Sequence, residues 1–276
     1  MEFMSKITNM DRDIKAAFFD VDGTLLSFKT HEVPESTKKA IEQLKENGVK
    51  VFVATGRSPK AFERVKQLID IDFDGYVYLN GQYVIVDDKV IHNKALNKES
   101  IKKLMPYIED KEIAVHFAEL DYGYMNFEND RVRELNELLG STVQREYLKD
   151  TSRAFDNETY QLSVYITEDE EDDFFNNVDG LKAVRWNHLF CDVIPEDGGK
   201  PNGIQAILDN FGFTRDQAIA FGDGGNDTDM LKHVGLGIAM GNAVDEAKNV
   251  ADHVTDSVDN EGIHKALVKF KLVKEK

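Results

Sequence analysis

Two acidic clusters dominate the chemistry open to this 276-residue chain. Asp20 and Asp22 stand two apart in Asp-Val-Asp-Gly-Thr-Leu (20–25), and Asp223 and Asp227 stand four apart in Gly-Asp-Gly-Gly-Asn-Asp (222–227). If the strand before Asp20 continues briefly, both of its carboxylates point the same way, out of one sheet edge. Four carboxylates on one edge repel unless a cation holds them. An oxygen-only donor set fits Mg²⁺, which keeps several waters and shares its coordination with substrate phosphate. A calcium loop does not fit: Leu25 and Thr228 stand where its glycine belongs, and His31 and Val234 where its bidentate glutamate belongs. Gly23 permits a sharp turn and a close backbone approach, and Thr24 offers a hydroxyl. Between the two clusters lie Thr55-Gly56-Arg57 and Lys200, which supply the hydrogen bonds and positive charge that a phosphate ester needs. Gly235 to Gly241 imitates a dinucleotide fingerprint, but its spacing is wrong.

The elements that must position these residues follow a regular rhythm. The apolar run Ile14 to Phe19 stops at Asp20 in the manner of a buried strand. A helix with Ala40, Ile41 and Leu44 on one face follows, begun by Pro34 and ended by Asn47-Gly48. The strand Val49 to Ala54 runs into Thr55, and the rhythm repeats through a helix at Phe62 to Ile69 and a strand at Tyr76 to Leu79. Alternating strands and helices imply a parallel sheet whose ligands gather at the carboxyl ends of its strands.

Around Asp87 the pattern changes to alternating strands, at Ile113 to Ala118, Gln161 to Ile166 and Leu189 to Ile194, mixed with helices. After Pro195 the first rhythm returns, with helices at Gly203 to Phe211 and Asp229 to Val234, strands at Ala218 to Phe221 and Leu236 to Met240, and a last helix from Ile263. The chain therefore reads as an α/β protein with a Rossmann-like parallel-sheet core, residues 1–86 and 194–276, and an inserted α+β domain, residues 87–193. The acidic run Glu168 to Asp173 reads as a capped, solvent-facing helix, with Thr167 and Glu170 forming a capping box.

Composition excludes several classes. With 34 Lys and Arg against 51 Asp and Glu, the formal charge is −17, which repels nucleic acid and anionic membrane surfaces. No apolar run approaches the length of a membrane-spanning helix, and Met1 to Asp13 lacks the apolar stretch of a signal peptide, so a cytoplasmic location is expected. Cys191 is the single cysteine, which excludes internal disulfides and sulfur-rich zinc sites and leaves the sequon at Asn157 without meaning. The seven histidines are scattered, and His116 and His188 read as structural or surface residues.

In this order, Asp20–Leu25, Thr55-Gly-Arg57, Lys200 and Gly222–Asp227 resemble the four motifs of the haloacid dehalogenase superfamily of phosphotransferases. The insertion is similar to the type IIB cap of the Cof-like sugar-phosphate phosphatases. One departure is Pro201, where that family usually has glycine directly after the lysine. The resemblance implies a Mg²⁺-dependent phosphatase acting on a small phosphorylated metabolite. It assigns Asp20 as nucleophile, Asp22 as general acid and base, and Lys200 as the counter-ion of the phosphoryl group. Thr55, Gly56, Arg57 and Asn226 join Lys200 in substrate binding, while Asp20, Asp22, Asp223 and Asp227 form the metal set, with Asp22 contributing its carbonyl and Asp227 orienting the surroundings. Specificity would come from cap residues, with Arg153, Tyr122 and His188 as candidates. A phosphomutase of the phosphomannomutase type is the nearest rival. A regulatory module phosphorylated on Asp20 is another, although it would need neither Asp22 nor an inserted domain.

Overall fold

The computed structural model describes residues 13–140, 146–148 and 150–275, so the expectation for Met1 to Asp13 lies, Asp13 apart, outside the described residues. The chain opens with β1 (Ala16–Phe19), α1 (Glu35–Glu46), β2 (Lys50–Ala54), α2 (Pro59–Ile69) and β3 (Gly75–Tyr78). β4 (Tyr83–Val86) and β5 (Lys89–Asn93) follow, then α3 (Lys98–Asp110), β6 (Val115–Ala118), β7 (Gly123–Met125) and α4 (Asp130–Leu139). Next come α5 (Arg153–Asp156), β8 (Gln161–Val164), α6 (Glu171–Phe175), β9 (Leu181–Asn187) and β10 (Phe190–Pro195). The chain closes with α7 (Lys200–Phe211), β11 (Ala218–Gly222), α8 (Thr228–His233), β12 (Leu236–Ala239), α9 (Asp245–Val250), β13 (His253–Val254) and α10 (Gly262–Lys269).

Eight strands form one sheet in the order β13-β12-β11-β1-β2-β3-β4-β5. Its six strands from β13 to β3 are parallel, and β4 and β5 add an antiparallel edge. β1 shows why it is central: Ala17 and Phe19 pack into one apolar cluster with α1, α2 and α10, whereas Ala16 and Phe18 pack into another with α7, α8 and α9. A strand buried on both faces must be apolar throughout, and it is. The second sheet, β7-β6-β8-β10-β9, is antiparallel and alternates. Val115, Phe117, Leu162, Val164, Cys191 and Val193 face a core shared with α3 and α6.

The change of sheet falls later than the expected division at 86/87. Lys89–Asn93 reads as half-exposed, yet it pairs with β4 and completes the parallel-type sheet. The expected return at 193/194 falls inside β10, which belongs wholly to the antiparallel sheet. The acidic run behaves as expected: Glu170 accepts from the Thr167 amide and hydroxyl at 2.6 and 2.8 Å, starting the short turn that leads into α6.

Candidate active site

The carboxyl ends of β1, β2, β3 and β11 converge on one edge, where the polypeptide leaves each strand into a polar loop. Asp20 follows β1, and its backbone N–H still donates to Phe221 O at 3.0 Å, which ties the two acidic loops together at their roots. The chain then turns at once, with the amides of Leu25 and Leu26 returning to Val21 O. Gly23 takes φ +93°, and a Cβ there would collide with the Asp223 carboxylate. Thr24 Oγ1 donates to Asp223 Oδ1 at 2.7 Å, so the first loop carries the second.

Lys200 is the first residue of α7 and is fully buried. Its Nζ donates at 2.6 Å to Asp20 Oδ1 and at 2.6 Å to Asp227 Oδ1. Pro201 does not divert it, because a proline in the first helical turn sacrifices no intrahelical bond. Asp227 spends its other oxygen on the backbone, accepting from the amides of Asp223 and Gly224 at 2.9 Å each.

Asp20, Asp223 and Asp227 each present an oxygen within 4.8 Å of the others, all buried. Three carboxylates around one lysine leave an excess of negative charge. Burial raises the Asp20 carboxyl to about 7, with Lys200 opposing the shift and Asp227 and Asp22 adding to it. Burial likewise pushes Asp223 well above the ordinary carboxylate range, reinforced by Asp20 and Asp227. Burial works against the charge on Lys200, but the two flanking carboxylates outweigh it and raise its pKa. An oxygen-only, buried, over-negative donor set fits a hard divalent cation such as Mg²⁺.

The Asp22 carboxylate is not among the three that converge. β1 ends at Phe19, and Asp22 sits in the turn that follows, bridged to Leu26, with its carboxylate lining the same cavity as Asp20. That carboxylate forms a bidentate pair with Arg57 instead, at 2.7 Å to Nε and 2.8 Å to Nη2. This pair, largely buried, raises the Arg57 pKa against the opposing effect of burial. Thr55 is buried at the end of β2, and its Oγ1 accepts from the Arg57 amide at 3.1 Å. Gly56 offers its carbonyl to Gln161 Nε2 at 3.2 Å, and Asn226 Nδ2 donates to Asn80 Oδ1 at 3.1 Å.

A cavity of ≈ 300 Å³ lies over this edge, closed on its far side by the antiparallel sheet. The core supplies Asp20, Asp22, Thr55, Gly56, Arg57, Asp223 and Asn226. His116, Gln161, Ser163 and Asp192 form a polar strip opposite, and Trp186, Phe190 and Leu139 an apolar one. The candidates Arg153, Tyr122 and His188 do not line it. Arg153 is bidentate with Glu119 and lies 4.7 Å over the Tyr122 ring, while His188 is exposed beside Glu134. His116, read as a structural or cap-surface residue, lines it. Sequence reasoning also missed Asn80 and Asn242, although each follows a strand of the same sheet just as Asp20 and Asp223 do. Asn242 Nδ2 donates to Gly23 O at 2.8 Å and clamps the first acidic loop.

Comparison with known proteins agrees with this geometry. A family described as haloacid dehalogenase-like hydrolase matches residues 17–267. YkrA of Bacillus subtilis (strain 168), which carries a provisional phosphatase name, is 34% identical over 264 residues, 95% of this chain and 100% of its own length. The sugar phosphatase BT4131, of subclass IIB in the same superfamily, superposes with a TM-score of 0.85 at 35% identity over 94% of this chain and 100% of its own. The phosphatase BT1666 of Bacteroides thetaiotaomicron gives 0.86 at 34% identity over 95% and 97%.

Proposed function

This chain belongs to the haloacid dehalogenase-like hydrolase family and is a phosphoric monoester hydrolase, and we propose that it is a Mg²⁺-dependent phosphatase that hydrolyses a small sugar phosphate through a phosphoryl group carried on Asp20. The observation that carries the reading is Asp20 itself, buried at the base of the cavity, held by Lys200 at 2.6 Å and grouped with Asp223 and Asp227.

Asp20, Asp223 and the Asp22 carbonyl would hold the cation, whose charge offsets that of the transferring phosphoryl group. In this mechanism an Asp20 oxygen attacks phosphorus and the ester P–O bond breaks. The departing oxygen takes a proton from Asp22, which lines the cavity and enters the step protonated and released from its bidentate pair with Arg57. Asp22 then removes a proton from water, the water oxygen attacks phosphorus, and phosphate leaves with the Asp20 carboxylate restored. Lys200 stabilises negative charge on the carboxylate and the phosphoryl group, Thr55 and Asn226 hydrogen-bond the phosphoryl oxygens, and Gly56 and Arg57 complete the binding loop. Asp227 orients Lys200 and the Asp223 loop. The antiparallel unit, assigned to 87–193 by sequence and bounded more closely by the strands after Asn93, acts as a cap over the cavity. A cytoplasmic location is consistent with a small phosphorylated metabolite as substrate. A phosphomutase is less favoured, since the similar proteins named above carry phosphatase names.

Asn at position 20 preserves volume while removing the nucleophile. Asp20→Asn is expected to abolish phosphate release from p-nitrophenyl phosphate with an unchanged circular dichroism spectrum, and EDTA to abolish the parent's activity until Mg²⁺ is restored. Most of the activity surviving in the variant would refute the assignment.

A further inference from the structure

The turn after β3 has a backbone that needs explaining. Leu79 and Asn80 are consecutive non-glycine residues with φ of +53° and +52°, and both are buried. Such conformations are costly and persist where the surroundings over-determine them; asparagine tolerates them best among residues with side chains. Four of the hydrogen bonds made by Asn80 reach four separate segments. Its backbone N–H donates to Thr55 O at 3.0 Å, and its Oδ1 accepts from Asn226 Nδ2 at 3.1 Å. Its Nδ2 donates across to the other sheet, to Gln161 Oε1 at 2.9 Å and Asp192 Oδ2 at 3.0 Å. The next residue, Gly81, takes φ +98° and packs directly on the Gly199 carbonyl, immediately before Lys200.

We propose that Asn80 is a positioning residue that locks the polar face of the antiparallel sheet to the two loops carrying Thr55 and Asn226. An amide is suited to this task because one end donates twice to the cap while the other accepts once from the core. The left-handed backbone aims that amide across the gap. Seating of Gln161 and Asp192 therefore fixes Asn226, and the Thr55 loop with it, in a single hydrogen-bonded unit. A misplacement of about 1 Å in such a loop is enough to cost on the order of a hundredfold in rate. The kinetic consequence rests on the reading that Thr55 and Asn226 bind the phosphoryl group; the coupling itself does not.

Glycine enters the left-handed region freely, so Asn80→Gly deletes the amide while sparing the turn. The test compares hydrogen–deuterium exchange of segments 55–58 and 224–227 in the full-length parent, Asp192→Ala, Asn80→Gly and the double variant. Asp192→Ala is expected to speed exchange in both loops by roughly tenfold in the parent, and to add little once Asn80 is glycine. Asn80→Gly is expected to lower kcat on p-nitrophenyl phosphate by about tenfold or more with a thermal midpoint near the parent's, and Asn80→Asp, equal in volume but without the donors, is expected not to rescue it. Unchanged loop exchange in Asp192→Ala, or effects of the two substitutions that add in full, would overturn the proposal. If Thr55→Ala and Asn226→Ala left kcat/KM unaltered while the exchange coupling held, the phosphoryl-binding reading would fail and the coupling would stand.

Discussion

Lys200 is the residue on which the electrostatics of the site turn. Buried between Asp20 and Asp227, it offsets charge that nothing else in its immediate contacts neutralises. Removing one partner of a buried ionic set strands the others, at a cost of about 3–5 kcal/mol. Lys200→Met, which keeps the length of the side chain, is accordingly expected to lose stability of that size in urea titration together with phosphate release; a loss below about 1 kcal/mol would contradict the geometry. At this scale the sequence was legible where residues are charged and misleading where geometry decides. The order of Asp20, Thr55, Lys200 and Asp223 along the chain located the site, but the spacing of Asp20 and Asp22 did not show that the Asp22 carboxylate pairs with Arg57 rather than joining the cluster of Asp20, Asp223 and Asp227. Asn80 was illegible because an amide has no charge to mark it and its cap partners lie 81 and 112 residues away.

Among the elements, strands of the parallel sheet were readable from unbroken apolar runs that stop at polar residues. The β4–β5 hairpin was not. Asp87 and Asp88 both have positive φ, the geometry of a tight two-residue hairpin, so the change of rhythm there coincides with a strand folding back on the same sheet. The helix α8, which follows the Asp223–Asp227 loop, carries a separate consequence. His233 is held to about 4 from an ordinary 6.5, by burial first and by Arg215 second, and it contacts Gln205 at 3.1 Å. A depressed folded value means that the unfolded chain takes up the proton first. The stability contributed by neutral His233 is present in full above pH 6.5 and is lost as pH falls from there through about 4. In urea titrations across that window, His233→Gln is expected to lose less stability on acidification than the parent does. Parallel curves for the two proteins would show that His233 does not titrate as described.

For the whole molecule, a formal charge of −17 and a buried, over-negative site point to the same requirement. Local charge decides substrate binding, because at physiological salt charges beyond about 8 Å are largely screened. No helix among the described residues is long and apolar enough to cross a membrane. A ligand that binds only the folded state stabilises it by about 2.7 kcal/mol at a hundred times its dissociation constant. Mg²⁺ is therefore expected to raise the thermal midpoint, EDTA to reverse the rise, and Asp223→Asn to abolish it; an equal rise with a monovalent salt at matched ionic strength would speak against a specific site. The most direct test of Asp20 as phosphoryl acceptor uses Asp22→Asn with p-nitrophenyl phosphate, whose leaving group departs without help from an acid, so that the first step proceeds and the attack by water stalls. Rapid quenching followed by peptide mass spectrometry should then find a burst of p-nitrophenol matched by phosphate covalently bound to Asp20, whereas a burst with Asp20 unmodified would contradict the account.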